Sequence, residues 1–197
     1  SGRVQPWGAC ILAAFLTWLG LTELAIGANT LASGVALVTL VSYIAIYTPL
    51  KRRTSWSTLI GAVPGALPPV IGWAAARGTL GVEALVLFGI VFLWQLPHSL
   101  SIACIYRDEY AKAGFRLLPV IHPDGASTRR QIVCNCLGLL VVALMPTFLG
   151  VAGVVYFFVS LVLGIAFLAF GVNLALSPST SAARRLLYAS LIYLPLV

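Results

Sequence analysis

Apolar runs of about twenty residues recur along the whole sequence, and about that length is needed for a helix to cross the hydrocarbon core of a bilayer. Hydrophobic residues make up 60% of the 197 residues and charged residues only 9%. Such a composition leaves too few polar groups to cover a water-soluble globule. The sequence therefore predicts an all-α integral membrane protein, a polytopic bundle of transmembrane helices.

We predict about seven spans within a single membrane domain, residues 1–197. The last run starts near Leu186 and stops at Val197. At about 1.5 Å per residue, so short a helix does not reach across a bilayer. Since Ser1 is also not an initiator methionine, we expect a domain that is truncated at the N-terminus and also at the C-terminus. The other six predicted spans are 7–26, 31–50, 59–76, 82–104, 132–149 and 152–176.

The basic residues are distributed unevenly between the two sides of the predicted bundle. If the spans alternate in direction, eleven of the twelve Lys and Arg residues fall on one side and only Arg77 on the other. Cytoplasmic loops of membrane proteins carry an excess of Lys and Arg. We therefore predict a multi-pass protein of a bacterial inner membrane with its charged loops in the cytoplasm. The same rule accounts for the net charge of +7, so we expect no nucleic-acid partner.

Two of these loops combine cations with carboxylates. Their candidate residues are Tyr47, Lys51, Arg52, Arg107, Asp108, Glu109 and Lys112. Cations neutralise phosphate oxygens, and Mg²⁺ prefers a few carboxylates together with substrate phosphates. The pattern therefore suits a magnesium–diphosphate complex. An alternative is that the basic run 51–53 only anchors the topology.

A proline and a histidine are adjacent in the last third of the fourth predicted span. Pro97 removes a backbone hydrogen bond and bends a helix, which suits the wall of a cavity. His98 is either a satisfied core residue or a functional one, and its position in an apolar span leaves both interpretations open.

Four separated motifs occur in a fixed order. They are Tyr47-x-x-x-Lys51-Arg52, the stretch 61–73 with Pro68-Pro69, Trp94-Gln95-x-Pro97-His98, and Asp108-Glu109-Tyr110-x-x-Ala113-Gly114 leading to Leu118-Pro119. Together they resemble the UbiA-type intramembrane prenyltransferases, and among them the branch that farnesylates protohaem IX. The resemblance implies a bundle of nine spans with a cavity near the cytoplasmic side. It also implies that a first acidic motif precedes Ser1, so we expect this fragment alone to be inactive.

The resemblance implies transfer of a farnesyl group from farnesyl diphosphate to a vinyl carbon of protohaem (haem B). Water adds as a hydroxyl, and the product is haem O, used for haem A and cytochrome oxidase biogenesis. Haem is thus a substrate rather than a cofactor. The further partners implied are Mg²⁺, the lipid bilayer and haem A synthase.

The resemblance also implies roles for individual residues. The implied metal ligands are Asp108 and Glu109. The implied catalytic residues are Asp108, Lys51, Arg52, Tyr47 and His98. The implied substrate-binding residues are Arg107, Lys112, Trp94, Gln95 and Trp73. Aromatic faces would stabilise the allylic cation left when diphosphate departs, although tryptophans in membrane spans are also common as packing or interfacial residues.

Two other functions stay open at this point. One is a related prenyltransferase with an aromatic acceptor such as a quinone precursor. The other is a non-catalytic transporter or assembly subunit that binds an anion in the same loops. Transporters often carry charged residues at mid-membrane, whereas here the acids cluster at one face, which favours an enzyme.

Overall fold

The computed structural model describes residues 5–51, 53–54, 56–122 and 124–197. All regular elements within these ranges are helical, which confirms the predicted fold class. The α-helices are α1 (Pro6–Gly27), α2 (Thr30–Val41), α3 (Thr48–Leu50), α4 (Ser57–Gly65), α5 (Pro68–Arg77), α6 (Val82–Ile105), α7 (Arg107–Lys112), α8 (Leu118–Ile121), α9 (Ala126–Val142), α10 (Met145–Phe148), α11 (Val154–Leu176) and α12 (Thr180–Leu196); a π-helix (Ser42–Tyr47) joins α2 to α3.

Six helical segments of the described chain are long and apolar enough to cross a membrane. They are Pro6–Gly27, Thr30–Leu50, Ser57–Arg77, Val82–Ile105, Ala126–Phe148 and Val154–Leu176. The first four and the sixth lie close to the predicted runs, while the fifth begins at Ala126 rather than at residue 132. The seventh run also begins earlier than predicted, because Ser179 caps α12 by accepting a hydrogen bond from the N–H of Ala182 at 3.1 Å.

Two spans are interrupted where their sequences require it. The third span is broken between α4 and α5, and Pro68 and Pro69 stand at the start of α5, where a helix does not need their missing N–H groups. The second span passes through the π-helix, and the hydroxyl of Thr48 donates to the carbonyl oxygen of Tyr43 at 2.9 Å within the widened turn. π-Helical turns are frequent at functional sites.

The core lies where α6, α9, α11 and α12 pack together. Its most deeply buried large side chains are Leu100, Ile132, Leu139, Phe167, Leu186 and Tyr193. Glycines on α11 allow close approach of α9, since a Cβ at Gly164 would lie 2.6 Å from Leu140 Cδ1 and one at Gly171 would lie 3.0 Å from Cys136 Sγ. Small residues at contacts are typical of packed membrane helices.

The two ends of the bundle differ in chemistry. The loops with Lys51 and Arg107 adjoin cavities at one end. At the other end, the side-chain amide of Asn29 donates to the carbonyl oxygen of Ala74 at 2.8 Å and ties the α1–α2 turn to the end of α5. Arg77, the basic residue predicted to lie apart from the others, terminates α5 at this end.

Candidate active site

A cavity of about 340 Å³ lies between the second span, α4 and α6 at the charged end. We call it the tyrosine cavity. Its polar and aromatic lining residues include Tyr43, Tyr47, Lys51, Ser57, Gln95 and Tyr110. It thus brings together Tyr47 and Lys51, which share the first motif, and Gln95, which belongs to the third.

The ring of Tyr47 is held in this wall by a glycine on the facing helix. A Cβ at Gly61 would lie 2.6 Å from Tyr47 Cδ2, closer than side chains tolerate. On its other side Tyr47 packs on Tyr43, with ring centroids 5.1 Å apart. Lys51 follows one turn later, and its N–H donates to the carbonyl oxygen of Tyr47 at 3.0 Å. Helical spacing therefore presents the phenol and the ammonium group to the same cavity.

Gln95 is fixed by α4 in a similar way. Its Nε2 donates to the carbonyl oxygen of Ala62 at 2.6 Å, and its Oε1 lies directly against Gly65. The Ala62 oxygen also accepts from the N–H of Ala66 at 3.1 Å, at the end of α4. Gly61 and Gly65 thus each allow the close approach of one lining side chain of the cavity.

Ser57 provides a buried polar group to the tyrosine cavity. It is 1% exposed, and its Oγ has no hydrogen-bond partner among the described residues. A buried hydroxyl without a partner costs about 1–3 kcal/mol. Since Ser57 lines the tyrosine cavity, a polar ligand in the cavity could recover this cost.

His98 and Trp94 lie on a different face of α6 and contact α12. His98 Nδ1 lies 2.7 Å from Ser190 Oγ, and Trp94 Nε1 donates to the carbonyl oxygen of Ser190 at 2.8 Å. The two rings stack with centroids 4.9 Å apart. Within the described chain neither ring lines the tyrosine cavity, so α6 divides the motif residues between two surfaces.

The candidate metal ligands lie on the short helix α7. Asp108 and Glu109 are both exposed in its first turn, and Lys112 is exposed in its last turn. Among the residues that the structure describes, no group of three or more His, Cys, Asp or Glu side chains could hold a metal ion. The acidic pair therefore does not form a metal cage with other protein ligands in the described ranges.

The remaining predicted residues lie elsewhere. Arg107 lines a second cavity that also includes Arg129. Trp73 lies at the opposite end of the bundle, where the Arg77 guanidinium stands 5.5 Å from the centroid of its ring. The structure thus does not bring Trp73 to the tyrosine cavity. Arg52 lies outside the described residues.

Three residues at these surfaces were given no role from the sequence, although Tyr110 belongs to the fourth motif. Ser57 and Tyr110 line the tyrosine cavity, and Ser190 holds both Trp94 and His98. A signal for Ser57 was its position just before an apolar run, four residues after the basic run 51–53. Ser190 carried none, because its function depends on which helix faces α6.

Comparison with known proteins gives a consistent picture. The model of the UbiA prenyltransferase family matches residues 1–193. A protein of Solibacter usitatus named protoheme IX farnesyltransferase is 49% identical over 197 residues, covering 100% of this chain and 68% of the relative. Proteins with the same name are 51% identical over 86% of this chain in Koribacter versatilis and 40% identical over 98% in Myxococcus xanthus, with 57% and 66% of those relatives covered. No solved structure matches the chain.

Proposed function

This chain belongs to the UbiA prenyltransferase family, and on that premise we propose that it transfers the farnesyl group of farnesyl diphosphate to a vinyl carbon of protohaem, giving haem O. The shared name of the relatives supports this acceptor. Because the chain spans about two thirds or less of the length of several of these relatives, its substrates and partners are part of the proposal.

The geometry that carries the proposal is the tyrosine cavity. Lys51 and Tyr110 give it a polar region at the charged end, and Ala62, Ile102 and Ala103 line it with apolar surface. An amphipathic substrate with an anionic head and a hydrocarbon tail needs both kinds of lining. A prenyl diphosphate has this chemistry.

In the proposed reaction, the bond between farnesyl C1 and the diphosphate oxygen breaks, and the diphosphate keeps the electron pair. The π electrons of the haem vinyl group form the new carbon–carbon bond. The resulting cation then takes up water and loses a proton, which leaves a hydroxyl group. Lys51 would stabilise the charge that develops on the diphosphate, and the faces of Tyr43 and Tyr47 would stabilise the allylic cation.

The acidic pair can bind Mg²⁺ only together with the phosphates of the substrate. Asp108 and Glu109 are exposed and have no third protein ligand among the described residues, whereas Mg²⁺ commonly binds one or two carboxylates plus substrate phosphates and water. We propose that Asp108, assisted by Glu109, holds the ion on the diphosphate, while Lys112 binds phosphate oxygens. Arg107 lines the other cavity and is not assigned to the diphosphate. When bound, the ion supplies positive charge that neutralises the leaving group.

His98 and Trp94 would serve the acceptor rather than the diphosphate. Their stacked rings lie on the side of α6 that faces α12, away from the tyrosine cavity. Aromatic rings stack on other planar π-systems such as a macrocycle. We assign His98 to contact with haem or to proton transfer, and Trp94 and Gln95 to positioning of the substrates on the two faces of α6. Trp73, at the opposite end, has no role in this assignment.

The proposal includes location and partners. We propose insertion in a bacterial inner membrane with the charged loops in the cytoplasm, following the positive-inside rule. Labelling with a membrane-impermeant thiol reagent tests this orientation in the variants Arg53→Cys and Arg77→Cys. Only Arg53→Cys should react from the cytoplasmic side. Association with haem A synthase is tested by co-purification of the two proteins.

The decisive assay uses the protein expressed from its complete reading frame in membranes. Farnesyl diphosphate is supplied with haem B or with 4-hydroxybenzoate, each with and without Mg²⁺, and products are identified by mass spectrometry. We expect a farnesylated, hydrated haem that requires Mg²⁺. A prenylated benzoate alone would instead support the quinone-precursor branch, and no product with either acceptor would contradict the proposed transfer.

A further inference from the structure

A second cavity, of about 270 Å³, lies beside the C-terminal end of α6, between the start of α9 and the start of α12. We call it the arginine cavity. Its polar lining residues are Arg107, His122, Asp124, Thr128, Arg129, Ser179 and Thr180. Ala103 lines the tyrosine cavity and Cys104 lines the arginine cavity, so the two cavities flank the same turn of α6.

The start of α9 borders this cavity, and within the described residues no side chain at the N-cap caps it. Gly125, at the N-cap, has φ 70° and lines the cavity, and it offers no side chain to cap the helix. The first N–H groups of a helix have no intrahelical partner and carry a partial positive charge. The following helix is 17 residues long, so this is the end of a full helix rather than of a single turn.

Thr128 provides independent evidence for a ligand. It is 2% exposed, and its Oγ1 has no hydrogen-bond partner among the described residues. In a helix a threonine hydroxyl commonly bonds to a carbonyl of the preceding turn, but here that bond is absent although the residue lines the cavity. A buried hydroxyl is left facing a polar space that nothing in the described chain fills.

The charges around the cavity favour an anion. Arg107 and Arg129 are two cations against one carboxylate, that of Asp124. Arg129 Nη1 donates to the backbone oxygen of Asp124 at 2.9 Å, which fixes the guanidinium while using only one of its five N–H donors. A planar guanidinium held in place binds carboxylate and phosphate oxygens in pairs.

We propose that the arginine cavity binds an oxyanion, the carboxylate or phosphate head group of an amphipathic ligand, through Arg107, Arg129, Thr128 and the N-terminus of α9. Two sources share this chemistry, namely the propionate carboxylates of haem and the phosphate of an anionic phospholipid. The haem source rests on the proposed function. The lipid source does not.

Haem B and its dimethyl ester, in which both carboxylates are capped, are titrated separately against the purified full-length protein by visible absorbance. The variant is Arg129→Gln, and its matched control is Arg130→Gln, because Arg130 is exposed and is not among the lining residues described. For the propionate source we expect Arg129→Gln to weaken haem B binding about 10-fold or more, the size of one charge-assisted hydrogen bond. Arg129→Gln should bind the ester as tightly as the parent protein does. Arg130→Gln should bind both ligands like the parent.

Thr128→Val keeps the shape of the side chain and removes only the hydroxyl. Since this variant should fold like the parent, a loss of binding would report on the hydroxyl itself. Its matched control is Ser160→Ala, which removes another buried hydroxyl that lacks a partner in the described chain and lies outside the cavities. We expect Thr128→Val to weaken binding of the oxyanion while Ser160→Ala does not.

For the phospholipid source, native mass spectrometry of protein from vesicles containing phosphatidylglycerol should show less bound lipid for Arg129→Gln and Thr128→Val than for their controls, with haem binding unchanged. The proposal is overturned if neither haem B nor phosphatidylglycerol binding responds, or if Arg130→Gln has the same effect as Arg129→Gln. Failure of farnesyl transfer in the parent protein would count against the proposed function alone, because the lipid measurement does not depend on it.

Discussion

His98 Nδ1 and Ser190 Oγ lie 2.7 Å apart, although 92 residues separate them in the sequence. The Ser190 hydroxyl has one proton, and it donates that proton to the carbonyl oxygen of Leu187 at 2.6 Å. With its proton placed in this way, the hydroxyl accepts from His98 in the tautomer of the neutral imidazole that carries the proton on Nδ1 and the lone pair on Nε2. Ser190 thus positions His98 with Nε2 as the atom that can accept a proton or approach a metal.

Without the Ser190 hydroxyl, the His98 tautomer should no longer be fixed. Trp94 should stay in place, because it bonds to the backbone oxygen of Ser190. We expect Ser190→Ala to lower kcat about 10-fold and to shift the visible spectrum of bound haem, with the KM for farnesyl diphosphate unchanged. Ser190→Thr should restore both. Equal losses in Ser160→Ala, another buried serine on a neighbouring helix, would show that Ser190 acts only in packing.

Gly61 should be required for the position of Tyr47. A methyl group in Gly61→Ala would lie 2.6 Å from the Tyr47 ring, and overpacking of this kind costs about 1–3 kcal/mol. We expect a several-fold rise in the KM for farnesyl diphosphate together with a lower thermal midpoint. Gly72→Ala is the control, because a Cβ there meets nothing within 4 Å. If both variants behave alike, the contact between Gly61 and Tyr47 does not matter for the site.

Lys51 should act on the diphosphate through its charge. Loss of a group that stabilises developing negative charge commonly costs about 100-fold or more in rate. We therefore expect Lys51→Gln to lower kcat/KM for farnesyl diphosphate by about two orders of magnitude, with haem affinity unchanged. Arg53→Gln is the neighbouring control, since Arg53 is exposed and is not among the described lining residues. A large loss in Arg53→Gln would point to topology or general surface charge instead.

Asp108 should be needed for magnesium-dependent turnover. We expect Asp108→Ala to abolish activity at normal expression levels, and Glu109→Gln to raise the Mg²⁺ concentration that gives half-maximal rate. Both are compared with Glu23→Gln, which changes an exposed carboxylate on α1. Full activity of Asp108→Ala at every Mg²⁺ concentration would remove Asp108 from the site.

The positions of the spans could be predicted from the sequence because hydrophobic length alone determines which segments cross a bilayer. The start of α12 could not, because Arg184 and Arg185 interrupt the apolar pattern while the helix begins at the Ser179 cap. A hydropathy pattern does not detect a polar N-cap residue such as Ser179. The broken third span was predictable from Pro64, Pro68 and Pro69, whose effect on a helix is local.

The grouping of the site residues was only partly predictable. Trp94 and His98 are four residues apart and share a face of α6, whereas Gln95 is about 100° further round the helix, on a face with Ser99 and Ile102. The spacing separates the two groups, but only the packing shows that one faces α12 and the other α4. Trp73 could have been placed, because the predicted third span ends next to Arg77, on the side opposite to the other basic residues.

The central claim is that the tyrosine cavity receives the prenyl diphosphate, and a photoreactive farnesyl diphosphate analogue tests it most directly. After illumination of the full-length protein in membranes, labelled peptides are mapped by mass spectrometry, with excess farnesyl diphosphate as the competitor. We predict competable labels on α4 and on the part of α6 between Gln95 and Ala103. Competable labels confined to α11 and α12 would contradict the assignment of this cavity.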